Sequence, residues 1–264
     1  MEPTSLANLT DTQSQRDSRK IPIDRVGIKG LRYPMQVRDK AHAIQHTVAT
    51  VTLTVDLPHQ FKGTHMSRFV EVLNEFGPEL HVDNIRTILR ELVARLDSEK
   101  AHVEFDFPYF LEKRAPVSGA VGLMDYGVRF SATIENDTVD FIVTVLVPVT
   151  TLCPCSKAIS AQGAHNQRGL VTFSIRSTTP FWIEELTRLV EDCASSELYS
   201  LLKRTDEKAV TERAYANPVF VEDLVRSVAA RANREARITW YRVEAENFES
   251  IHNHSAYALI EKAK

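Results

Sequence analysis

The chain has 264 residues, of which 43% are hydrophobic and 25% charged, and its formal net charge is −3. This composition is typical of a globular protein and lacks the basic excess that would attract nucleic acid or a membrane surface. No stretch approaches the roughly 18–20 uncharged apolar residues of a membrane-spanning helix, and the three cysteines are too few for a disulfide framework. We therefore expect a cytoplasmic protein that binds neither nucleic acid nor a membrane.

A polar tail precedes the first regular element. Residues Met1–Lys20 are rich in Ser, Thr, Gln, Asn and Asp and have no apolar core of the kind found in secretory signals. We expect residues 1–24 to form a flexible tail. After the tail, His46–Leu57 alternates with many β-branched residues and stops at Pro58. This pattern predicts a strand.

Two helices and three strands are predicted next. Apolar residues recur at helical spacing in Thr64–Phe76 and Val82–Leu96. Strands are expected over His102–Phe110, Val121–Thr133 and Asp140–Val149. The turn signal Asn136-Asp137 lies between the last two of these strands, so we expect a hairpin there.

The second half of the chain has the same order of elements. The predicted strand, two helices and two strands are Gly169–Ser177, Phe181–Ser195, Pro218–Ala232, Ala236–Asn247 and Tyr257–Glu261. Asn217 is the expected N-cap of the second helix, with Pro218 at its first position. Because the order recurs after roughly 120 residues, we expect two units, 25–150 and 169–264, separated by residues 151–168.

The separating segment carries the reactive side chains. It contains Cys153-Pro154-Cys155 and, ten residues further on, His165. Thiolate and imidazole are ligands of zinc-like cations. A proline between two thiols can turn the chain, so that the two thiols take different roles. From spacing alone, two inert cysteines and a surface histidine are an equally good interpretation.

Longer runs around these residues resemble the type IB GTP cyclohydrolases. The resemblance is most specific in Leu152-Cys-Pro-Cys-Ser-Lys and Gly163-Ala-His-Asn-Gln-Arg-Gly169, and it covers nearly everything after the tail. Its other parts are Lys62–Phe69, the Thr205–Val210 run with Glu207, Phe220–Asp223 and Asn247–His252.

The resemblance implies a metal centre. Cys153, His165 and Glu207 are its implied ligands, with water in the open position of a catalytic site. Mixed sulfur, nitrogen and oxygen ligands do not select strongly among zinc, manganese and iron. Cys155 is the implied catalytic thiol, although Cys153 and Cys155 exchanging these roles remains an alternative.

Substrate contacts are implied at further positions. Glu222 is the implied anchor, accepting the N1–H and 2-amino donors of guanine, whereas its alternative role is to complement the positive end of a helix. His252 is the implied second catalytic residue, placed near the metal-bound water. The implied cations for the triphosphate of GTP are Lys157, Lys62, His65 and Arg68, with Arg168 as a further candidate.

The implied fold is α+β, with tandem tunnelling-fold units that each carry two helices on one face of an antiparallel sheet. Such units join into barrels, so a homo-oligomer is expected, with a tetramer favoured. The implied reaction is attack of metal-activated hydroxide on guanine C8 of GTP, release of formate and rearrangement to 7,8-dihydroneopterin triphosphate, the entry to folate and pterins. The alternatives are a nitrile reductase of the same fold, which needs no metal, and a non-catalytic metal-binding assembly module.

Overall fold

A computed structural model describes residues 11–13, 15–77 and 84–264. Within these ranges the chain forms nine strands and six helices. The strands are β1 Ile23–Asp39, β2 Ala43–Leu57, β3 Lys100–Arg114, β4 Val121–Glu135, β5 Thr138–Leu152, β6 Asn166–Ser177, β7 Ser196–Glu197, β8 Ile238–Asn247 and β9 Ala256–Ala263. The helices are α1 Met66–Phe76, α2 Ile85–Leu96, α3 Pro154–Ile159, α4 Ile183–Glu191, α5 Arg204–Ala216 and α6 Val221–Arg234. None of the helices in the described ranges is both long enough and apolar enough to cross a membrane.

The strands form one sheet in the order β1-β2-β3-β4-β5-β6-β8-β9, and the short β7 pairs with β5. The pairs from β5 to β9 are antiparallel, and their register aligns Val147 with Val171, Val171 with Ala245 and Ala245 with Ala258. The first three of these side chains are buried. An antiparallel sheet with packed helices confirms the predicted α+β class.

The chain divides into two compact units built from discontinuous segments. Unit 1 contains the described residues of Met1–Gln36, Val48–Phe105 and Ser131–Asp140, and unit 2 contains Val37–Thr47, Asp106–Phe130 and Phe141–Lys264. The contiguous division expected from the sequence, with its flexible tail, stays a prediction. Residues 1–10 and 14 of that tail lie outside the described part of the chain.

Two helices, α1 and α2, contribute to the buried core of unit 1. α1 and α2 contact each other, and they bury the apolar stripes that the sequence predicts. The buried side chains are Phe69, Val72 and Leu73 of α1 and Ile85, Ile88, Leu89, Leu92 and Leu96 of α2. Burying each such side chain stabilises the fold by roughly 1.5–3 kcal/mol. Both predicted helices are confirmed, except that Val82, the expected first residue of α2, lies outside the described residues.

Strand β1 was not predicted, because glycines interrupt its pattern. One of them has a packing reason, since a Cβ at Gly27 would lie 2.0 Å from the carbonyl oxygen of Leu53. Only glycine allows β1 to approach the neighbouring backbone this closely. The predicted hairpin, in contrast, is confirmed. Asn136 and Asp137 have φ values of 50° and 59°, as the two central residues of a type I′ turn require.

Unit 2 packs α4 and α6 against each other, with α4 on β6 and α6 on β8 and β9. The predicted start of α6 was wrong. The helix begins at Val221, and Asn217 ends the preceding helix, because its N–H donates to the carbonyls of Arg213 and Ala214. That preceding helix, α5, was not predicted. It buries only Asp206 and Ala214, so it has no apolar stripe for a periodicity argument to detect.

Candidate active site

The two thiols of the Cys-Pro-Cys run lie at the junction of β5 and α3. Cys153 is the N-cap of α3, and its Sγ accepts a hydrogen bond from the N–H of Ser156 at 3.4 Å. Pro154 occupies the first turn, where its missing N–H costs nothing. Cys153 is half-buried whereas Cys155 is exposed. The two thiols on either side of the proline therefore lie in different environments.

His165 folds back onto residues 152–157, which are called the thiol segment below. Its carbonyl accepts from the N–H of Cys153 at 3.1 Å, and its own N–H donates to Ser156 Oγ at 3.1 Å. Its ring nitrogen Nδ1 lies 3.1 Å from Gln167 Oε1, 3.5 Å from Ser250 Oγ and 3.9 Å from Glu249 Oε2. This arrangement leaves Nε2 to act as a ligand, since metal-binding histidines are generally oriented through their other ring nitrogen.

Glu249 and Gln167 are functional candidates that the sequence argument missed. The Glu249 side chain is only 11% exposed. Gln167 is buried, and its amide donates to Thr151 Oγ1 at 3.1 Å and to Glu249 Oε1 at 3.5 Å. Both residues lie inside the runs that carry the family resemblance. A polar side chain two residues after a histidine, at the start of a predicted extended run, was the available signal for Gln167.

The third implied ligand, Glu207, lies in the first turn of α5 and is exposed. Throughout the described residues, no group of three or more His, Cys, Asp or Glu side chains is close enough to hold a metal ion. The structure therefore brings Cys153 and His165 together and does not add the Glu207 carboxylate to them. The donor types and the oriented imidazole fit a metal, and the three-ligand set stays a prediction.

Lys157 connects the thiol segment to α5. Its Nζ donates to the carbonyl of Tyr215 at 2.5 Å and lies 4.5 Å from the centre of the Tyr215 ring. Nearby, the N–H of Val219 donates to the carbonyl of Leu152 at 3.0 Å. The first contact attaches α3 to the last turn of α5, and the second attaches the end of β5 to the connection between α5 and α6. Helices α5 and α6 carry Glu207 and Glu222.

The other predicted catalytic and substrate-binding residues of unit 2 are exposed. Glu222 is exposed in the first turn of α6. His252 is also exposed, in the segment between β8 and β9, and its ring stacks on that of His254 with centroids 5.2 Å apart. Arg168 is exposed too, and its carbonyl accepts from the N–H of Phe248 at 2.9 Å.

The remaining predicted cations belong to unit 1, and each has a protein partner there. Lys62 Nζ lies 3.4 Å from Gln15 Oε1, and His65 Nε2 lies 3.2 Å from Asp11 Oδ1. Arg68 donates to the carbonyl of Arg95 at 2.8 Å. Their part in binding a triphosphate stays a prediction.

The third cysteine is unlike the other two. Cys193 is buried, and its thiol donates to the carbonyl of Leu189 at 3.2 Å. Burial raises the pKa of Cys193 to about 11. A buried thiol of this kind is inert, which leaves Cys153 and Cys155 as the reactive pair.

Comparison with known proteins identifies close relatives. A family model described as type I GTP cyclohydrolase FolE2 matches residues 9–258. The GTP cyclohydrolase FolE2 of Akkermansia muciniphila is 62% identical over 260 residues, covering 97% of this chain and 98% of that protein. The FolE2 of Syntrophus aciditrophicus is 58% identical over 254 residues, covering 96% of this chain and 100% of that protein.

Among solved structures, the fold resembles urate oxidase. The enzyme from Bacillus sp. TB-90 superposes with a TM-score of 0.51 at 7% identity, covering 91% of this chain and 99% of that one. At this identity the similarity concerns the fold alone, and it supports the expected tunnelling-fold architecture.

Proposed function

This chain belongs to the FolE2 family of type I GTP cyclohydrolases, and we propose that Cys153, Cys155 and His165 form the core of its catalytic centre. It is accordingly an enzyme that hydrolyses GTP in folate biosynthesis. The observation that supports the assignment of the site is the backbone pairing of His165 with Cys153, with Nδ1 of the histidine facing Gln167 and Glu249, together with the exposure of the Cys155 thiol.

The residues that would hold a divalent ion are Cys153 and His165, with Glu207 as the third ligand. Sulfur, nitrogen and oxygen donors together suit zinc, manganese or iron. Three protein ligands leave a position for water, which is the arrangement of catalytic rather than structural sites. When bound, such an ion supplies Lewis-acid activation of water, whose pKa falls to roughly 7.

Gln167 and Glu249 hold the imidazole of His165 in the orientation that a ligand needs. Partners of this kind fix both the ring direction and the tautomer of metal-binding histidines. Cys155 is exposed and, unlike Cys153, is not the N-cap of α3, so its thiol can face the substrate. In our proposal it carries a proton to the purine ring as water adds to C8, and His252 assists during ring opening.

Glu222 binds the guanine edge. Its carboxylate accepts the N1–H and 2-amino donors as a charge-assisted bidentate pair, which orients C8 toward the thiol segment. Lys157, Lys62, His65, Arg68 and Arg168 are the cations proposed for the triphosphate. The overall change consumes one water and yields formate and 7,8-dihydroneopterin triphosphate.

We also propose the assembly and location. Barrel closure of tunnelling-fold units needs several copies, so the enzyme is a homo-oligomer, with a tetramer favoured, and it acts in the cytoplasm. The two alternatives from the sequence, a metal-independent nitrile reductase and a non-catalytic assembly module, find no support in a family match that spans residues 9–258.

The test is formate release from GTP by a Cys155→Ala variant whose metal content is measured in parallel. We expect the metal content to stay at the wild-type level and formate release to fall by at least about 100-fold, the scale of a lost proton-transfer group. Cys193→Ala is the control, because it removes a thiol outside the site and leaves catalysis near the wild-type level. Full activity of Cys155→Ala with metal bound would remove Cys155 from the chemistry.

A further inference from the structure

Asp206 is a charged side chain with no exposed surface, next in sequence to Glu207. Aspartate is almost never fully buried unless it is paired or hydrogen-bonded. Here both carboxylate oxygens accept two hydrogen bonds each, from three backbone N–H groups and one hydroxyl. A burial of this kind needs a reason beyond helix formation.

The donors to Asp206 come from two separate parts of unit 2. Oδ1 accepts from the N–H groups of Val117 and Ser118 at 2.9 and 2.8 Å. Oδ2 accepts from Ser118 Oγ at 2.6 Å and from the N–H of Lys203, the N-cap of α5, at 2.8 Å. One carboxylate therefore joins the turn between β3 and β4 to the first turn of α5.

The turn to which Asp206 is hydrogen-bonded is itself closed by two backbone hydrogen bonds. The N–H of Ala115 donates to Ala120 O at 2.9 Å, and the N–H of Gly119 donates to Ala115 O at 3.1 Å. Gly119 has a φ of 69°, which glycine adopts without strain. The carboxylate thus anchors α5 to a closed turn between two long strands.

Helix α5 depends on this anchor more than an amphipathic helix would. Only Asp206 and Ala214 are buried along its length, whereas most helices are held by an apolar stripe. Ala214 lies near the far end, so Asp206 is the buried contact of the first turns. Because successive helix residues are about 100° apart, fixing the direction of Asp206 also fixes the direction in which Glu207 leaves the helix.

We propose that Asp206 is the positioning residue for Glu207, and that the turn of residues 115–120 sets where the third metal ligand is presented. This inference rests on the proposed function, in which Glu207 completes the site of Cys153 and His165. It assigns a role in metal binding to a residue that contacts neither metal nor substrate, and to Ser118, which lies 88 positions from Asp206 in sequence.

The test measures zinc affinity of the metal-free full-length protein by competition with a chromophoric chelator. Asp206→Asn replaces one accepting oxygen by an N–H₂ group, which then faces the hydrogen-bond donors of the turn or of Lys203. We expect zinc affinity to fall about 10- to 100-fold, the range observed when a residue that orients a metal ligand is lost. Ser118→Ala removes only the hydroxyl donor and should give a smaller fall in the same direction. Glu212→Gln is the matched control, because it neutralises an exposed carboxylate on the same helix that pairs with Lys208.

A double-mutant cycle separates positioning from general stability. In a Glu207→Gln background, Asp206→Asn should lower the thermal midpoint and leave zinc affinity unchanged, since the ligand that it positions is already absent. An equal fall in zinc affinity in both backgrounds would overturn the inference. If Asp206→Asn fails to fold, the same cycle is run with Ser118→Ala.

The two failures are distinguishable. If Glu207→Gln lowers zinc affinity and neither Asp206→Asn nor Ser118→Ala does, Asp206 has no positioning role and the proposed site stands. If Glu207→Gln itself leaves zinc affinity unchanged, the proposed ligand set is wrong and the positioning role is overturned with it.

Discussion

At the scale of one residue, Gly169 leaves the space that the side chain of Asn247 occupies. It pairs with Asn247 across β6 and β8, and a Cβ at this position would lie 2.7 Å from Asn247 Oδ1 and 3.4 Å from Val149 Cγ2. Asn247 is 2% exposed, so it has little room to move. It is also the last residue of β8, directly before the segment that carries Glu249 and His252.

We predict that Gly169→Ala lowers the free energy of unfolding by about 1–3 kcal/mol, the usual cost of overpacking a tight interior. Formate release should fall as well, because displacing Asn247 shifts the start of the segment with Glu249. Urea denaturation and the formate assay measure the two effects. Gly63→Ala is the control, since its Cβ would meet Gln13 at an ordinary 3.5 Å. Equal stability of the two variants would show that Asn247 adapts freely.

A buried carboxylate in unit 2 makes stability depend on pH. Burial alone would raise the pKa of Asp39, but hydrogen bonds from the N–H groups of His42 and Ala41 and from the Gln45 amide bring it below its ordinary value. A depressed folded-state pKa contributes stability above the unfolded pKa of about 3.9, and this contribution is lost as the pH falls through the folded-state pKa.

Asp39→Asn should therefore lower the free energy of unfolding at pH 7 by about 1–2 kcal/mol, because its amide group faces the Gln45 amide. The difference from wild type should shrink below about pH 4, where the wild-type carboxylate becomes protonated. Denaturation curves at several pH values measure this. The control is Asp106→Asn, whose exposed pair with Arg129 contributes little. A difference that stays constant down to pH 2 would contradict the assignment.

Residue identity made part of the site predictable. Cys153, Cys155 and His165 stand out in sequence because thiols and imidazole are scarce and chemically specific. Gln167 and Glu249 do not, since the contact of Glu249 with both His165 and Gln167 depends on a segment that returns to them from more than 80 residues further along the chain. No local pattern encodes that return.

At the scale of elements, the helix start that carries Glu222 offers a matched pair of acids. Glu222 and Asp223 both lie in the first turn of α6, and both are exposed. Each complements the positive end of the helix to a similar degree. Guanine binding, in our proposal, requires Glu222 alone.

We predict that Glu222→Gln raises the KM for GTP or lowers kcat/KM by about 10- to 100-fold, since a charge-assisted bond contributes roughly 1.5–3 kcal/mol. Asp223→Asn should leave kcat/KM within about twofold of wild type. Steady-state kinetics with GTP distinguish the two variants. Equal effects would favour the helix-dipole role of Glu222 over the anchoring role.

Element prediction succeeded where periodicity was strong. The strands of the hairpin β4–β5 and helices α1, α2 and α4 follow from alternation or apolar stripes. Helix α5 was missed because a buried carboxylate, rather than an apolar stripe, attaches it to unit 2. The start of α6 was placed too early because Asn217 and Pro218 look like helix-starting residues, whereas Asn217 caps the preceding helix.

At the scale of the whole molecule, the strand order ends at β1 and β9. An edge strand presents backbone N–H and C=O groups that can pair with another chain. β9 also exposes the large apolar side chains of Tyr257 and Leu259 at alternating positions. Such a pattern is typical of an edge strand that another chain covers.

We predict that the enzyme forms a closed assembly whose mass corresponds to about four chains of 29.8 kDa. Light scattering coupled to size exclusion measures this mass. Leu259→Lys places a charge on the β9 edge, and it should reduce the assembled fraction while each chain stays folded. A fully active monomer would contradict the proposed assembly.

The most direct test of the metal centre counts sulfur ligands by X-ray absorption spectroscopy on zinc-loaded protein. We expect one sulfur ligand in the wild type and in Cys155→Ser, and none in Cys153→Ser, with formate release lost in both variants. A sulfur ligand that persists in Cys153→Ser, or one that disappears in Cys155→Ser, would contradict the roles assigned to the two thiols.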